Sequence, residues 1–182
     1  MNRVRLMGSE AVKVKRDYSI RLPWDAEIYG APEQRLTATL AINFENSKAS
    51  GLGLPLPQGA LRVYEPSKEG AIQYIGAAAI RNTPKDERVS LTLTNVFDVY
   101  AKAKRTQNKR LDKRRVQRTL VVVVHNEKAR AVDVRLVESI GGKWTMQSES
   151  AKSTRPEAGT AQWILPVPAG GETTLKFTVV IG

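Results

Sequence analysis

Residues 102–126, KAKRTQNKRLDKRRVQRTLVVVVHN, join a dense basic run to five consecutive apolar residues without a proline or glycine between them. The apolar run Leu120–Val124 lacks the alternation of a half-buried strand, so both of its faces are expected to be covered. This pattern predicts a central strand of a sheet. The basic run ahead of it predicts a solvated β-hairpin arm over residues 102–118, between this strand and the preceding one.

The rest of the chain alternates apolar and polar residues in short segments, which is typical of strands with one buried face. In RVSLTLTN, for example, Val89, Leu91 and Leu93 share one side. Turn-forming segments separate about ten such candidates, and no amphipathic helix of about ten residues is apparent. We therefore expect an all-β, antiparallel β-sandwich. Further strand candidates lie at 35–44, 60–64, 72–76, 96–102, 132–136, 144–148, 161–167 and 175–179.

The C-terminal half predicts a β-meander that resembles half of an immunoglobulin-like sandwich. His125–Ala129 is the expected hairpin turn after the apolar run, and SIGGKW at 139–144 is the expected turn after the following strand. Residues 1–34 are expected to form a basic N-terminal strand segment that packs on or leads into the domain. Residues 35–182 are expected to form that single β-sandwich domain.

Composition narrows the classes of function. The chain has 182 residues, and none of its apolar runs approaches the roughly 18 residues that a membrane helix requires. It contains no cysteine, which excludes disulfides, thiolate metal sites and a cysteine nucleophile. No glycine-rich phosphate loop follows a strand and opens a helix. The sequence therefore predicts no catalytic residue, no cofactor and no metal site.

The net charge of +11 is concentrated in two places. Residues 102–118 carry nine basic side chains against Asp112, and residues 1–21 carry six against two acids, so the remainder is nearly neutral. The arm would bind a polyanion, either nucleic acid or acidic polysaccharide, by charge neutralisation and counterion release. It would meet an acidic lipid surface or protein in the same way. The candidate polyanion-binding residues are Lys104, Arg105, Lys109, Arg110, Lys113, Arg114 and Arg115.

The arm contains no aromatic residue for base stacking, which favours a solvated hairpin over a nucleic-acid site. His125, the single histidine, and Asp98 would serve a hydrolase only if a pocket joined one of them to a polar cluster. A structural role is the preferred interpretation of both. The tryptophans and tyrosines would build a carbohydrate-stacking platform if they met, but their scatter over separate strands predicts core filling. They are Trp24, Trp144, Trp163, Tyr18, Tyr29, Tyr64, Tyr74 and Tyr100.

Several segments occur in an order that is similar to one known family. They are LPLPQGALRVY at 54–64, IGAAAIRNTPKDE at 75–87, FDV at 97–99, HNEKARAVDVRLVE at 125–138, Trp144 after a double glycine, and VPAGGETTLKFTV at 167–179. Over roughly residues 35–182 the chain resembles the family called domain of unknown function 4139, the C-terminal part of mucoidy-inhibitor-A-like bacterial proteins. The resemblance implies an all-β module, often in exported or envelope-associated proteins, with no established catalytic residues.

The leading hypothesis is a non-catalytic β-sandwich module with a structural or protein-interaction role. Its expected partner is another protein or a preceding N-terminal domain of the kind that longer relatives carry. The expected location is the bacterial envelope or periplasm if the chain belongs to a longer exported protein, and the cytoplasm if the chain is complete. The alternative is polyanion binding through the basic arm, with nucleic acid ranked below a protein partner. A hydrolase is the weakest hypothesis.

Overall fold

The computed structural model describes residues 12–22, 34–66 and 70–182. Within these ranges the backbone forms eleven strands and one 3₁₀ turn, and the all-β, sandwich-like class predicted from the alternating pattern is confirmed. The strands are β1 Lys15–Leu22, β2 Gln34–Glu45, β3 Gly59–Pro66, β4 Ile72–Ile80, β5 Arg88–Arg110, β6 Val116–Asn126, β7 Val132–Ser139, β8 Trp144–Glu149, β9 Thr154–Glu157, β10 Thr160–Val167 and β11 Gly171–Ile181, and the 3₁₀ turn is Lys48–Ser50.

The strands form two sheets. Nine of them follow the order β8-β11-β6-β5-β2-β1-β7-β10-β9, and β3 and β4 form a separate antiparallel pair. β1 runs parallel to β7, with Ile20 opposite Leu136, whereas β6 is antiparallel to both β5 and β11. β5 unites two predicted strands in one element of 23 residues. β9 was not predicted, because all four of its residues are exposed and it has no alternating pattern.

The chain divides into two compact units. Unit 1 comprises Met1–Asp17 and Leu40–Thr94, and unit 2 comprises Tyr18–Thr39 and Asn95–Gly182. These limits differ from the predicted division at residue 34, because β2 and β5 each contribute residues to both units. Neither unit is continuous in sequence, so a reading along the chain does not reveal where each one ends.

The core of unit 2 lies between two layers of strands. Trp163 on β10 and Phe177 on β11 are both fully buried, and their ring centroids are 4.6 Å apart. β10 and β11 are far apart in the strand order, so this contact means that the sheet folds over on itself. The indole N–H of Trp163 donates a hydrogen bond to the Glu149 carboxylate at 3.1 Å, which satisfies its one polar group.

The prediction that Leu120–Val124 lies in a central strand is confirmed. β6 is paired along its whole length, with β5 on one side and β11 on the other. Leu120, Val122 and Val124 point into the core and are buried, whereas Val121 and Val123 on the opposite face are half-buried. An uninterrupted apolar run is therefore used on both faces of the strand.

The predicted meander is wrong after β6. β7 pairs with β1 and β10 rather than with β6, so His125–Ala129 is not a hairpin turn, and SIGGKW is not one either because β8 pairs with β11. The buried Asn126 explains the first departure: its Nδ2 donates to the carbonyl oxygens of Arg130 at 2.8 Å and Pro168 at 2.9 Å, which fixes a bent connection between the layers. The immunoglobulin-like topology stays a prediction.

The predicted basic hairpin is present, but it is not a free arm. Arg110 at the end of β5 lies opposite Val116 at the start of β6. β11 pairs with the other edge of β6 as far as Val116, and β8 pairs with β11, so this end of the sheet is four strands wide. Residues 106–115 are exposed throughout, whereas Ala103 and Arg105 are buried. The solvated part is therefore shorter than the predicted 102–118.

In unit 1 the loop after β2 is organised by Asn46, which is fully buried. Its Nδ2 donates to the carbonyl oxygens of Leu54 and Pro84, both at 2.8 Å, and its Oδ1 accepts from the Gly53 N–H at 3.1 Å. Gly53 has a φ of +102°, and a Cβ there would lie 2.8 Å from Cγ of Lys48, so the loop requires glycine.

Candidate binding sites on the two hairpins

The turn of the β5–β6 hairpin, residues 111–115, is built around Asp112. Its Oδ1 accepts hydrogen bonds from the backbone N–H groups of Arg114 at 2.9 Å and Arg115 at 2.8 Å, and its Oδ2 accepts one from Arg115 Nε at 2.6 Å. These bonds, the one from the Arg114 backbone most of all, lower the pKa of Asp112 to about 2. The ionised carboxylate therefore holds the turn together at neutral pH.

Arg110 closes the turn from the other side. Its Nε donates to the Asp112 carbonyl oxygen at 3.1 Å, and its Nη2 donates to the Lys113 carbonyl oxygen at 3.2 Å. Arg110 and Arg115, two of the predicted polyanion-binding residues, are thus engaged within the turn. The predicted residues whose exposed side chains make none of these turn contacts are Lys104, Lys109, Lys113 and Arg114.

Arg105 was predicted to bind a polyanion, but it is only 4% exposed and points inward like Ala103. It faces the layer that carries Glu138 of β7, which is fully buried. Burial raises the pKa of Glu138 to about 8, and the charges of Arg105 and Arg118 lower it only in part. Neither carboxylate oxygen of Glu138 has a hydrogen-bond partner among the described residues. Sequence reasoning missed this buried carboxyl group, because VRLVES reads as an ordinary alternating strand.

The outer face of the layer, opposite the core, carries lysines from two strands. Lys104 on β5 and Lys176 on β11 both lie opposite Val121 of β6, so the three form one row across the sheet. Lys109 lies opposite Gln117 in a second row nearer the turn. All three lysines are exposed. Sequence reasoning missed Lys176, since only strand pairing brings it beside the hairpin.

An uncharged row separates these two. Thr119 Oγ1 donates to Gln107 Oε1 at 3.2 Å and lies 3.0 Å from the hydroxyl of Thr178, so hydrogen bonds run across β5, β6 and β11. The described residues in the three rows, from Lys104 to Lys109 on β5 and their partners on β6 and β11, include no acid. This face is therefore polar and cationic without internal neutralisation.

An open cleft of about 590 Å³ lies beside the turn. Arg114 and Lys143 line the cleft. Val180, which lies opposite Gln117 at the end of the second row, also lines it, so the second row of the outer face reaches the cleft. Trp144 also lines the cleft, but it is buried, and the guanidinium of Arg155 lies 3.6 Å from its ring centroid. Its ring is therefore already covered, and the cleft presents charge rather than an aromatic platform.

His125 and Asp98 each contact the side chain of a polar partner. Nδ1 of His125 lies 3.3 Å from the Glu172 carboxylate, and its ring stacks on Tyr100 with centroids 4.7 Å apart. Asp98 pairs with Lys128 Nζ at 2.6 Å. Neither residue lines the cleft beside the turn or the second cleft, at 131–133 and 166–168. In the described part of the chain, no three His, Asp or Glu side chains meet as metal ligands.

Four of the six tryptophans and tyrosines in the described ranges fill the core, as predicted for most of them. Trp144, Trp163 and Tyr18 are buried in unit 2, and Tyr100 is nearly so. Two others, Trp24 and Tyr29, lie outside the described residues. The described tryptophans therefore provide no stacking platform at the surface.

Tyr64 and Tyr74 of unit 1 are the exception. They lie opposite each other on β3 and β4, with ring centroids 5.5 Å apart in an edge-to-face arrangement. Tyr64 is 51% exposed and Tyr74 is 52% exposed, and Ile72, two residues before Tyr74 and hence on the same face, is 80% exposed. The β3–β4 hairpin thus carries an apolar surface that sequence reasoning assigned to the core.

Comparisons with protein-family models, curated proteins and solved structures found no match to this chain. The resemblance to domain of unknown function 4139 therefore stays a hypothesis. No helix in the described ranges is long and apolar enough to cross a membrane.

Proposed function

We propose that this chain is a non-catalytic interaction module that binds a protein partner through the apolar face of the β3–β4 hairpin. The observation that carries the proposal is the exposure of Tyr64, Ile72 and Tyr74 side by side on one face. Exposed apolar clusters mark interaction sites, and tyrosine is enriched among the residues that dominate binding energy. A face of this kind buries apolar area against a partner without requiring a charge to be desolvated.

The strand that carries two of these residues supports the proposal. β4, Ile72–Ile80, contains no charged residue, and β3 is its only partner in the described sheet. Proteins usually protect an open strand edge with lysine or another charge, because an unprotected edge pairs with foreign strands. A partner that pairs with this uncharged edge would also bury the apolar face beside it.

The resemblance to the C-terminal part of mucoidy-inhibitor-A-like proteins supplies the kind of partner. In such proteins the module follows an N-terminal domain, so the partner of the β3–β4 hairpin is such a domain or a separate envelope protein. The corresponding location is the bacterial envelope. This part of the proposal rests on the resemblance alone.

Site-specific photo-cross-linking in living bacteria tests the proposal. A photoreactive phenylalanine analogue in place of Tyr74 should give a discrete covalent adduct, and the additional change Ile72→Ser should abolish it. The same analogue at Ile164, an exposed apolar residue at 60% exposure on β10, is the matched control and should give no adduct. Equal adducts at both positions, or none at Tyr74, would contradict the proposal.

A second candidate function is polyanion binding through the β5–β6 hairpin. The specific observation in its favour is a turn that is held in shape by Asp112 while Lys113 and Arg114 remain exposed on it. A pre-organised cationic turn loses little conformational entropy when it meets an anion. The variant Lys113→Ser/Arg114→Ser should elute from a polyanion matrix at lower salt than the native chain. Identical elution would remove this candidate.

A further inference from the structure

We propose that the outer face of the β5–β6–β11 layer binds a single chain of an acidic polysaccharide. The bound chain runs from the cleft beside the turn across the rows of Lys109 and Lys104. This inference rests on the second candidate function, polyanion binding, and specifies its site and ligand class. The hairpin turn alone would be a point contact. The lysines of the rows, Lys104, Lys109 and Lys176, extend this contact into a line of positive charge, the track.

The geometry of the rows defines the track. Lys104 and Lys176 share a row and are separated by two strand spacings, about 9.5 Å. Lys109 lies about 15 Å farther along β5, towards the turn. The second row ends at Val180, which lines the cleft that Arg114 and Lys143 also line. Cationic groups therefore recur along a path on the order of 25 Å from Lys176 to the cleft.

The charge of the track is available to a ligand. The three rows contain no acid, and their uncharged members, Gln107, Thr119 and Thr178, bond to one another across the strands. The carboxylate of the turn itself, Asp112, is occupied by two backbone N–H groups and Arg115. A ligand with regularly spaced negative charges would neutralise the lysines and release their counterions.

The width of the layer argues against a DNA duplex as the ligand. A two-stranded ribbon enters a major groove about 12 Å wide, but the outer strands of this four-stranded end are already about 14 Å apart before side chains are added. The face would therefore have to meet a duplex from outside. A stiff cylinder touches such a face along a narrow line, so Lys104 and Lys176, which lie side by side in one row, would not both lie on that line.

The absence of a stacking surface argues against a single-stranded nucleic acid. Binding of unpaired bases depends on exposed aromatic rings, each worth about 1–3 kcal/mol per base. The rows contain no aromatic residue, and Trp144 in the cleft is buried beneath Arg155. A flexible chain of sugars that carry sulfate or carboxylate groups needs only the charges of the exposed lysines.

The test compares two triple variants with the same change in charge. In the face variant, Lys104, Lys109 and Lys176 become serine. In the control variant the exposed Lys13, Lys15 and Lys85, which lie outside the rows, become serine. Binding of heparin, a 30-base-pair DNA duplex and an unstructured DNA oligonucleotide is titrated at several salt concentrations, with the native chain and the turn variant Lys113→Ser/Arg114→Ser alongside.

We expect the face variant to bind heparin about tenfold more weakly at 0.1 M salt and with a salt slope lower by about two to three, while the control variant changes much less. Equal losses in the two triple variants, or a loss confined to the turn variant, would overturn the sheet-face site but leave polyanion binding in place. No heparin binding by the native chain would overturn both. Tighter binding of either DNA than of heparin, with the same dependence on the face lysines, would overturn the ligand class.

Discussion

The β3–β4 and β5–β6 hairpins share an antiparallel topology but differ in the side chains that they expose to a partner. β3–β4 exposes two tyrosines and an isoleucine, whereas β5–β6 exposes lysines and arginines. β5–β6 is supported along β6 by β11, whereas β3 and β4 have no third strand in the described sheet. The cationic side chains are thus exposed on strands that a neighbouring strand supports and on a turn that hydrogen bonds fix. The exposed apolar face, in contrast, is buried only when a partner covers it.

The two units also differ in what lies behind their hairpins. In unit 2 the base of β5–β6 sends Arg105 and Arg118 towards the buried Glu138. In unit 1 the loops beside β3–β4 are held by the uncharged amide of Asn46. A buried group that titrates makes stability depend on pH, and a buried amide does not. Unfolding at several pH values separates these two kinds of support.

The largest effect is expected from Glu138→Gln. The pKa of Glu138 is 4.5 without the fold and about 8 within it, so between these pH values the folded chain keeps a proton that the unfolded chain releases. The free energy of unfolding of the native chain should therefore fall as pH rises from 4.5 to 8, by about 4 kcal/mol in total, and this contribution should stay constant above pH 8. The variant has no such proton and should lack the fall. Urea unfolding at pH 5 and pH 9 measures the difference.

The exposed Glu157 supplies the matched control for this prediction. Glu157→Gln changes the same chemical group at the surface, so its stability should follow the native curve with pH. If Glu138→Gln and the native chain gave parallel curves, the titration of Glu138 would not contribute to the contrast between the units.

A smaller effect is expected from replacing the buried asparagines. Asn46→Ala in unit 1 and Asn126→Ala in unit 2 each remove several hydrogen bonds and leave buried carbonyl groups without a donor. Each change should lower the free energy of unfolding by about 2–3 kcal/mol at any pH. Chemical denaturation of both variants measures this, with Asn108→Ala at an exposed position of β5 as the control, which should cost little. A loss in only one unit would show that the two loops are not supported in the same way.

The smallest effect is expected at the hairpin turn. Asp112→Ala should leave global stability nearly unchanged but should speed amide exchange at Arg114 and Arg115 several-fold, because both backbone N–H groups lose their acceptor. Asp112→Asn keeps an acceptor oxygen and should preserve more of the protection. In the native chain the carboxylate supports the turn above its ordinary pKa of 3.8, and this support is lost as pH falls through about 2. Amide chemical shifts of Arg114 that titrate near 3.8 instead would contradict the assignment.

Local patterns predicted the elements well where they carried a strong signal. The uninterrupted Leu120–Val124 identified the central strand, and the basic run between two apolar segments identified the β5–β6 hairpin. β9 gave no signal because all of its residues are exposed. The meander failed because both edges of β6 were already taken by β5 and β11, which leaves none for β7.

The candidate sites were predicted less completely than the fold. Six exposed cations of the hairpin were found from charge density, but Arg105 in the same run is buried, since it continues the inward alternation of Ala101 and Ala103. Lys176 joins the site through β6 although it is distant in sequence. The tyrosines of β3–β4 were assigned to the core because they are scattered along the sequence, and only the pairing of β3 with β4 brings Tyr64 and Tyr74 together on an exposed face.

The sequence by itself determined the all-β class, the positions of most strands and the place where positive charge accumulates, because alternation and charge density are properties of neighbouring residues. Only the tertiary structure decided which strands pair, which cation of the basic run is buried, and which distant lysine shares a row with the hairpin. The physical reason is that each strand edge accepts one partner, so pairing depends on competition among all strands at once. The local sequence of one strand does not show which other strands compete to pair with its edges.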